Sequence, residues 1–171
     1  TVHANMGAWL SNFSTYIPTM SGCRTLTTIY DIPATSLRVI GVVTNTPAVD
    51  AYRGAGRPES NYLMERLMDH ISGITGKSRV EIRKLNMIKA SQIPYAMPVG
   101  GTIDSGDMPA LLDMAVDRAD VAGFASRKQQ ALANGRLRGI GYGMYLEQCG
   151  GGTDSGVEVE FFEDGRVVLH A

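Results

Sequence analysis

Ala51-Tyr52-Arg53-Gly54-Ala55-Gly56-Arg57-Pro58-Glu59 stands directly before a helical stretch and sets two glycines between two arginines. Glycine lets backbone approach a ligand closely, a helix start offers free N–H groups, and guanidinium forks grip anions. The stretch therefore outlines an oxyanion or phosphate site. A glycine turn carrying two solvated arginines is equally open on spacing alone. Two nucleotide readings fail. Gly54 and Gly56 begin a G-x-G pattern, but its sixth position is Glu59, and a loop separates it from the nearest strand. No Lys-Ser or Lys-Thr follows, which removes a P-loop.

Upstream of the loop, residues 37–44 hold three Val and one Ile in a run too short for a helix, which predicts a buried strand. Residues 1–10 predict a strand running into a loop, and residues 13–22 a short helical turn. Downstream, Pro58 suits a first helical turn and Glu59 meets the positive end of its dipole. Leu63, Leu67, Ile71 and Ile74 follow at three- and four-residue steps, predicting an apolar stripe on a helix that Gly76 ends. Ser78 and Glu81 have capping-box spacing and open a second helix.

Pro94, Pro98, Gly100 and Gly101 mark an irregular segment. Asp107 as N-cap and Pro109 in the first turn then start a third helix with Leu111, Leu112, Ala115, Val116 and Ala119 at helical period. Gly123 predicts a kink in it, and Asn134-Gly135 its end. From Arg138 the pattern becomes that of strands. Val157, Val159 and Phe161 alternate with Glu158 and Glu160, and Glu163-Asp164-Gly165 turns the chain back. The expectation is an α+β fold with about three helices and mainly antiparallel strands: residues 1–106 form the loop region, and residues 107–171 a helix followed by strands.

Composition narrows the partners. The chain has 171 residues, 44% hydrophobic and 19% charged, enough for one domain or a slice of a larger one. Its net charge is -1 with no run of Lys or Arg, which argues against nucleic acid and anionic lipid. Apolar runs fall far short of the roughly 20 residues a membrane span needs. Thr1 is not a start Met and no leader follows it, so the expectation is a soluble, cytoplasmic piece cut from a longer chain. Cys23 and Cys149 lack the spacing of a metal site and read as unpaired thiols. His3, His70 and His170 lie far apart and read as structural. Gly150-Gly151-Gly152 reads as a turn between strands, with a backbone-lined substrate passage as the alternative.

Thr44-Asn45-Thr46-Pro47 followed by residues 50–59 resembles the active-site loop of the molybdenum hydroxylases. These are the large subunits of the xanthine dehydrogenase, aldehyde oxidase and carbon monoxide dehydrogenase family, here in the AYRGAGR version of form II carbon monoxide dehydrogenase-like chains. Ala4-Asn5-Met6-Gly7-Ala8 and Ser11-Asn12-Phe13 resemble the family's upstream segment. Glu81-Ile82-Arg83-Lys84-Leu85-Asn86, Tyr95, Gly101-Thr102-Ile103-Asp104-Ser105-Gly106-Asp107 and Gly135-Arg136-Leu137-Arg138-Gly139-Ile140-Gly141 are similar to its later motifs.

The resemblance implies a subunit that holds molybdenum on molybdopterin cytosine dinucleotide and hydroxylates an electron-poor carbon with water as oxygen source. It implies a medium subunit with FAD and a small subunit with [2Fe-2S] clusters, in a dimer of heterotrimers. Arg53 matches the arginine beside the metal and takes the catalytic, electrostatic role. Tyr52, Gly54, Ala55 and Gly56 form the cofactor wall with Arg57 in support. True carbon monoxide dehydrogenases carry a copper-binding Cys where this chain has Gly54, so an aldehyde or N-heterocycle is the expected substrate, the aldehyde slightly ahead. The family's catalytic Glu belongs to a segment outside this chain. Glu147 is not that residue, and Glu59 reads as a dipole-stabilised structural carboxylate. The rival readings are a non-catalytic anion-binding or assembly module without the cofactor, or carbon monoxide oxidation.

Overall fold

The computed structural model describes residues 1–147 and 156–170. In chain order these form strand β1 (Val2–Gly7), helical turns at Ile17–Ser21 and Cys23–Thr25, and strand β2 (Val39–Val43). Helices α1 (Arg57–Thr75) and α2 (Arg79–Asn86) follow, then a turn at Ala90–Gln92 and the short strands β3 (Tyr95–Ala96) and β4 (Thr102–Ile103). Helices α3 (Met108–Arg118) and α4 (Phe124–Ala133) and strands β5 (Glu158–Phe161) and β6 (Val167–His170) complete the series. The mixture is α+β, as expected.

The described strands pair as three two-stranded sheets, β3–β4 and β5–β6 antiparallel but β1–β2 parallel. The long connection over residues 8–38 returns the chain beside β1 in the same direction, something a tight hairpin cannot do. Strand β2 is not buried as predicted. Val39 and Ile40 are half-buried while Val42 and Val43 are exposed. Asn5 ties the two motifs of this region together: its Oδ1 accepts from Thr44 Oγ1 at 2.6 Å and from Gly7 N at 3.0 Å. Gly7 has φ +78°, and a Cβ there would lie 2.3 Å from Pro47 O, so only glycine lets the two motifs touch.

The core contains Ile29, Tyr30, Met64, Met68, Ile82, Met87 and Leu112. Helix α1 turns a different face inward from the one predicted. Met64 and Met68 are buried, whereas Leu63, Leu67 and Ile74 are exposed and only Ile71 packs partly on the core. Helix α2 forms with its capping box complete: Ser78 Oγ accepts from Glu81 N at 3.1 Å and Glu81 Oε2 from Ser78 N at 2.8 Å. Those bonds hold the Glu81 carboxyl below its ordinary range. Asp107 caps α3 as predicted, its Oδ1 accepting from Ala110 N at 3.0 Å.

The predicted third helix is two helices rather than one kinked helix. Asp120 takes φ +45°, Gly123 is the N-cap of α4, and Arg127 donates to Ala119 O at 2.9 Å and Asp120 O at 2.6 Å. The predicted strand from Arg138 does not pair with any described strand. Residues 136–147 form no helix, strand or turn and are held by side chains instead.

Arg83 of α2, wholly buried, is the main anchor of that segment. It pairs with Glu65 at 2.8 Å and Asp69 at 3.0 Å and donates to the carbonyl of Tyr142 at 3.3 Å. Tyr30 donates its hydroxyl to Glu65 from the other side. Burial, reinforced by that bond, pushes the Tyr30 hydroxyl well above the ordinary tyrosine range. Burial works against the Arg83 charge, but its carboxylate partners outweigh it and raise the guanidinium further.

Candidate active site

The loop before α1 is two β-turns in succession. Ala55 N donates to Tyr52 O at 2.8 Å, and Arg57 N donates to Gly54 O at 2.9 Å. Each turn places a glycine at its third position with positive φ, Gly54 at +81° and Gly56 at +88°. L-residues with a Cβ resist that conformation, so the G-x-G spacing here serves turn geometry. Gly56 is also sterically required: a Cβ would lie 2.5 Å from Gly22 N and 2.8 Å from Ile17 O. Ser60 Oγ donates to Gly22 O at 2.6 Å, and Ser21 Oγ donates to Ala55 O, riveting the loop to the Ile17–Ser21 turn.

The two arginines have different fates. Arg57 is committed, its Nε bonding Glu147 and its Nη1 donating to Ser21 Oγ at 3.3 Å. Arg53 is exposed and has no hydrogen bond or ion pair among the described residues. The N–H groups of Arg53, Gly54 and Gly56 are likewise unpaired among the described residues. An uncommitted guanidinium and three uncommitted N–H groups on one tight bend can receive an anion or a ligand with several oxygens.

An apolar cavity of about 670 Å³ opens between the β1–β2 pair and the first half of α1, lined partly by Met6, Ile17, Leu26, Val39 and Leu63. Gly56, Pro58 and Glu59 contribute to its wall, which places the end of the loop at its edge. Its volume suits a small molecule or an apolar side-chain cluster.

Tyr52, Arg53, Gly54, Ala55, Gly56 and Arg57 thus lie on one bend. Glu59 sits exposed in the first turn of α1, with no hydrogen bond or ion pair among the described residues. Ser21, Asn61 and Glu147 were missed by sequence reasoning. Ser21 and Glu147 lie 36 and 90 positions from Arg57, and no local pattern links such separations. His3, His70 and His170 are all exposed, and no His, Cys, Asp and Glu cluster able to hold a metal occurs among the described residues. Cys23 is unpaired, its thiol pushed up by burial, while Cys149 and Gly150-Gly151-Gly152 lie outside the described residues.

A cationic double turn at a helix mouth, carried on an α+β unit, has the chemistry to face an anionic ligand. The model of the molybdopterin cofactor-binding domain matches residues 1–87, about half of the chain. The chain belongs to that family. It is 34% identical over 149 residues to the carbon monoxide dehydrogenase large chain of Hydrogenophaga pseudoflava, covering 82% of this chain and 19% of the relative. It is 30% identical over 145 residues to the 6-hydroxypseudooxynicotine dehydrogenase complex subunit gamma of Paenarthrobacter nicotinovorans, covering 82% and 18%. Quinoline 2-oxidoreductase from Pseudomonas putida 86 superposes with a TM-score of 0.68 at 25% identity, covering 78% of this chain and 17% of that one. The chain therefore spans less than a fifth of the length of these relatives. No helix among the described residues is long and apolar enough to cross a membrane.

Proposed function

We propose that this chain supplies the loop on which a molybdenum–molybdopterin centre rests in a hydroxylase acting on an electron-poor carbon of an N-heterocycle or aldehyde. The observation that carries the reading is the division between a committed Arg57 and an Arg53 that, with the N–H groups beside it, has no partner among the described residues. That arrangement is compatible with the group: Gly54 adds no side chain of its own, while the carboxylate of Glu147 stands against one side of the bend. The bound centre supplies the two-electron oxidant, and the balance is one C–H bond and one water converted to a C–OH, two protons and two electrons. Arg53 stabilises negative charge as it develops on the ligand oxygens. Tyr52, Gly54, Ala55 and Gly56 shape the wall, and Arg57 supports it.

Several parts of the reading concern the whole enzyme. The pterin carries cytosine dinucleotide, and electrons leave through [2Fe-2S] clusters and FAD in two partner subunits, in a cytoplasmic dimer of heterotrimers. Names such as nicotine 6-hydroxylase, quinoline 2-oxidoreductase and aldehyde oxidoreductase among the relatives support the two substrate classes. Carbon monoxide oxidation through copper is disfavoured because Gly54 has no ligand atom. The test is Arg53→Ala in the full-length subunit assembled with its partners. Turnover of N-heterocycles and aldehydes with an acceptor dye should fall about 10²–10³-fold while bound molybdenum stays near the parent level. A parent enzyme devoid of molybdenum and pterin, or an unaffected variant, refutes the proposal.

A further inference from the structure

We propose that Glu147 is the positioning residue of the cationic loop: seated by Asn61 and bonded to Arg57, it fixes the loop's second arginine and walls the open side of Gly54, so that Arg53 is the arginine presented to the ligand. The inference deepens the functional reading above and rests on it for its effect on turnover.

Glu147 reaches the loop from 90 residues away, and its approach is built rather than incidental. Asn61, one turn into α1 from Arg57, grips the backbone of Leu146 in both directions. Its Nδ2 donates to Leu146 O at 3.2 Å and its Oδ1 accepts from Leu146 N at 3.1 Å. The same Nδ2 donates to Arg57 O at 2.9 Å, so the amide has every group occupied. Farther back, buried Arg83 holds the carbonyl of Tyr142, and Met144 and Leu146 pack against the core. The segment before residue 147 is thereby docked along α1, and residue 147 is delivered to the bend.

The consequence at the loop is twofold. Arg57 is bonded to Glu147 at Nε and to Ser21 at Nη1, so it is tied both to the segment ending at residue 147 and to the Ile17–Ser21 turn. Glu147 Oε2 lies 3.0 Å from the place a Cβ would occupy on Gly54, so the carboxylate fills one side of the bend. The two side chains are 22% and 42% exposed, a setting in which ion pairs add little stability. Geometry and charge placement are then the main return from the contact.

The test uses the full-length subunit assembled with its partners, comparing Glu147→Ala, Glu147→Gln and Arg57→Lys with the parent. Hydrogen exchange at the Ala55 and Arg57 amides should quicken by about tenfold or more in Glu147→Ala, while a peptide over α2 exchanges as in the parent. In the same variant kcat should fall about tenfold to a hundredfold, with KM changed less than about threefold and molybdenum and pterin content retained. Glu147→Gln, which keeps the shape, should fall between parent and alanine variant. Unchanged loop exchange in both Glu147 variants overturns the proposal, as does a loss confined to KM. If Glu147→Ala also quickens α2, its fold is compromised and Arg57→Lys decides, with local quickening supporting and parent-like exchange overturning the assignment. A parent without molybdenum or pterin defeats the functional reading, while the exchange result still decides the clamp.

Discussion

Gly54 and Gly56 share a left-handed backbone but not the same tolerance. An alanine at either position meets the backbone cost of positive φ, roughly 1–2 kcal/mol. At Gly56 the added methyl also strikes Gly22 N and Ile17 O, which are main chain and cannot step aside. Gly56→Ala in the intact subunit should therefore cost about 3–5 kcal/mol and appear as lost folded protein in a denaturant titration. Gly54→Ala meets mainly the carboxylate end of Glu147, which can move, and should cost about 1–2 kcal/mol. Equal losses at the two sites would contradict the contact assigned to Gly22. At this scale the sequence was informative about the bend itself, because glycine spacing and a helix start are local signals. The partners of Arg57 were illegible, since Ser21 and Glu147 are brought in by tertiary docking alone.

Helix α1 shows how a correct element can be assigned the wrong inner face. Leu63, Leu67, Ile71 and Ile74 form a regular stripe, yet the buried set is Ser60, Met64, Glu65 and Met68. Period alone cannot choose between two faces when methionines line one and leucines the other. A polar ridge decides the matter: Arg57, Asn61, Glu65 and Asp69 recur every four residues and bind Glu147, Leu146, Arg83 and again Arg83. Met68→Ala should cost about 2–5 kcal/mol in the isolated chain, against less than about 1 kcal/mol for Leu67→Ala, read from denaturation midpoints. A Leu67→Ala loss as large as that of Met68→Ala would mean the exposed stripe is covered. Caps, by contrast, were readable in advance at Ser78 and Asp107, because their hydrogen bonds close within three residues.

At the scale of the whole molecule, the cluster of buried Tyr30, Glu65 and Arg83 with half-buried Asp69 joins the segment before β2 to α1, α2 and the residues near Tyr142. Its pH response has a definite sign. Folding raises the Tyr30 hydroxyl above its ordinary value of 10.0, so the folded state holds that proton more tightly than the unfolded one. The stabilisation is complete below about pH 10 and is lost as pH rises beyond it. Denaturation midpoints should fall as pH rises above about 10 in the parent and less steeply in Tyr30→Phe. A variant with the parent's alkaline slope would remove Tyr30 from the account. The α+β class was legible from alternating patterns, whereas the parallel β1–β2 pair and the break between α3 and α4 depend on long-range return and on one left-handed Asp120.

The four-residue ridge of α1 makes the bend before it hostage to phase. Adding or deleting one residue between positions 57 and 69 turns everything beyond it by about 100°, and the docking groups on either side of the change then cannot all meet their partners. Length variation in laboratory libraries should accordingly survive at the Gly76 junction or near Gly135 and vanish inside the helix.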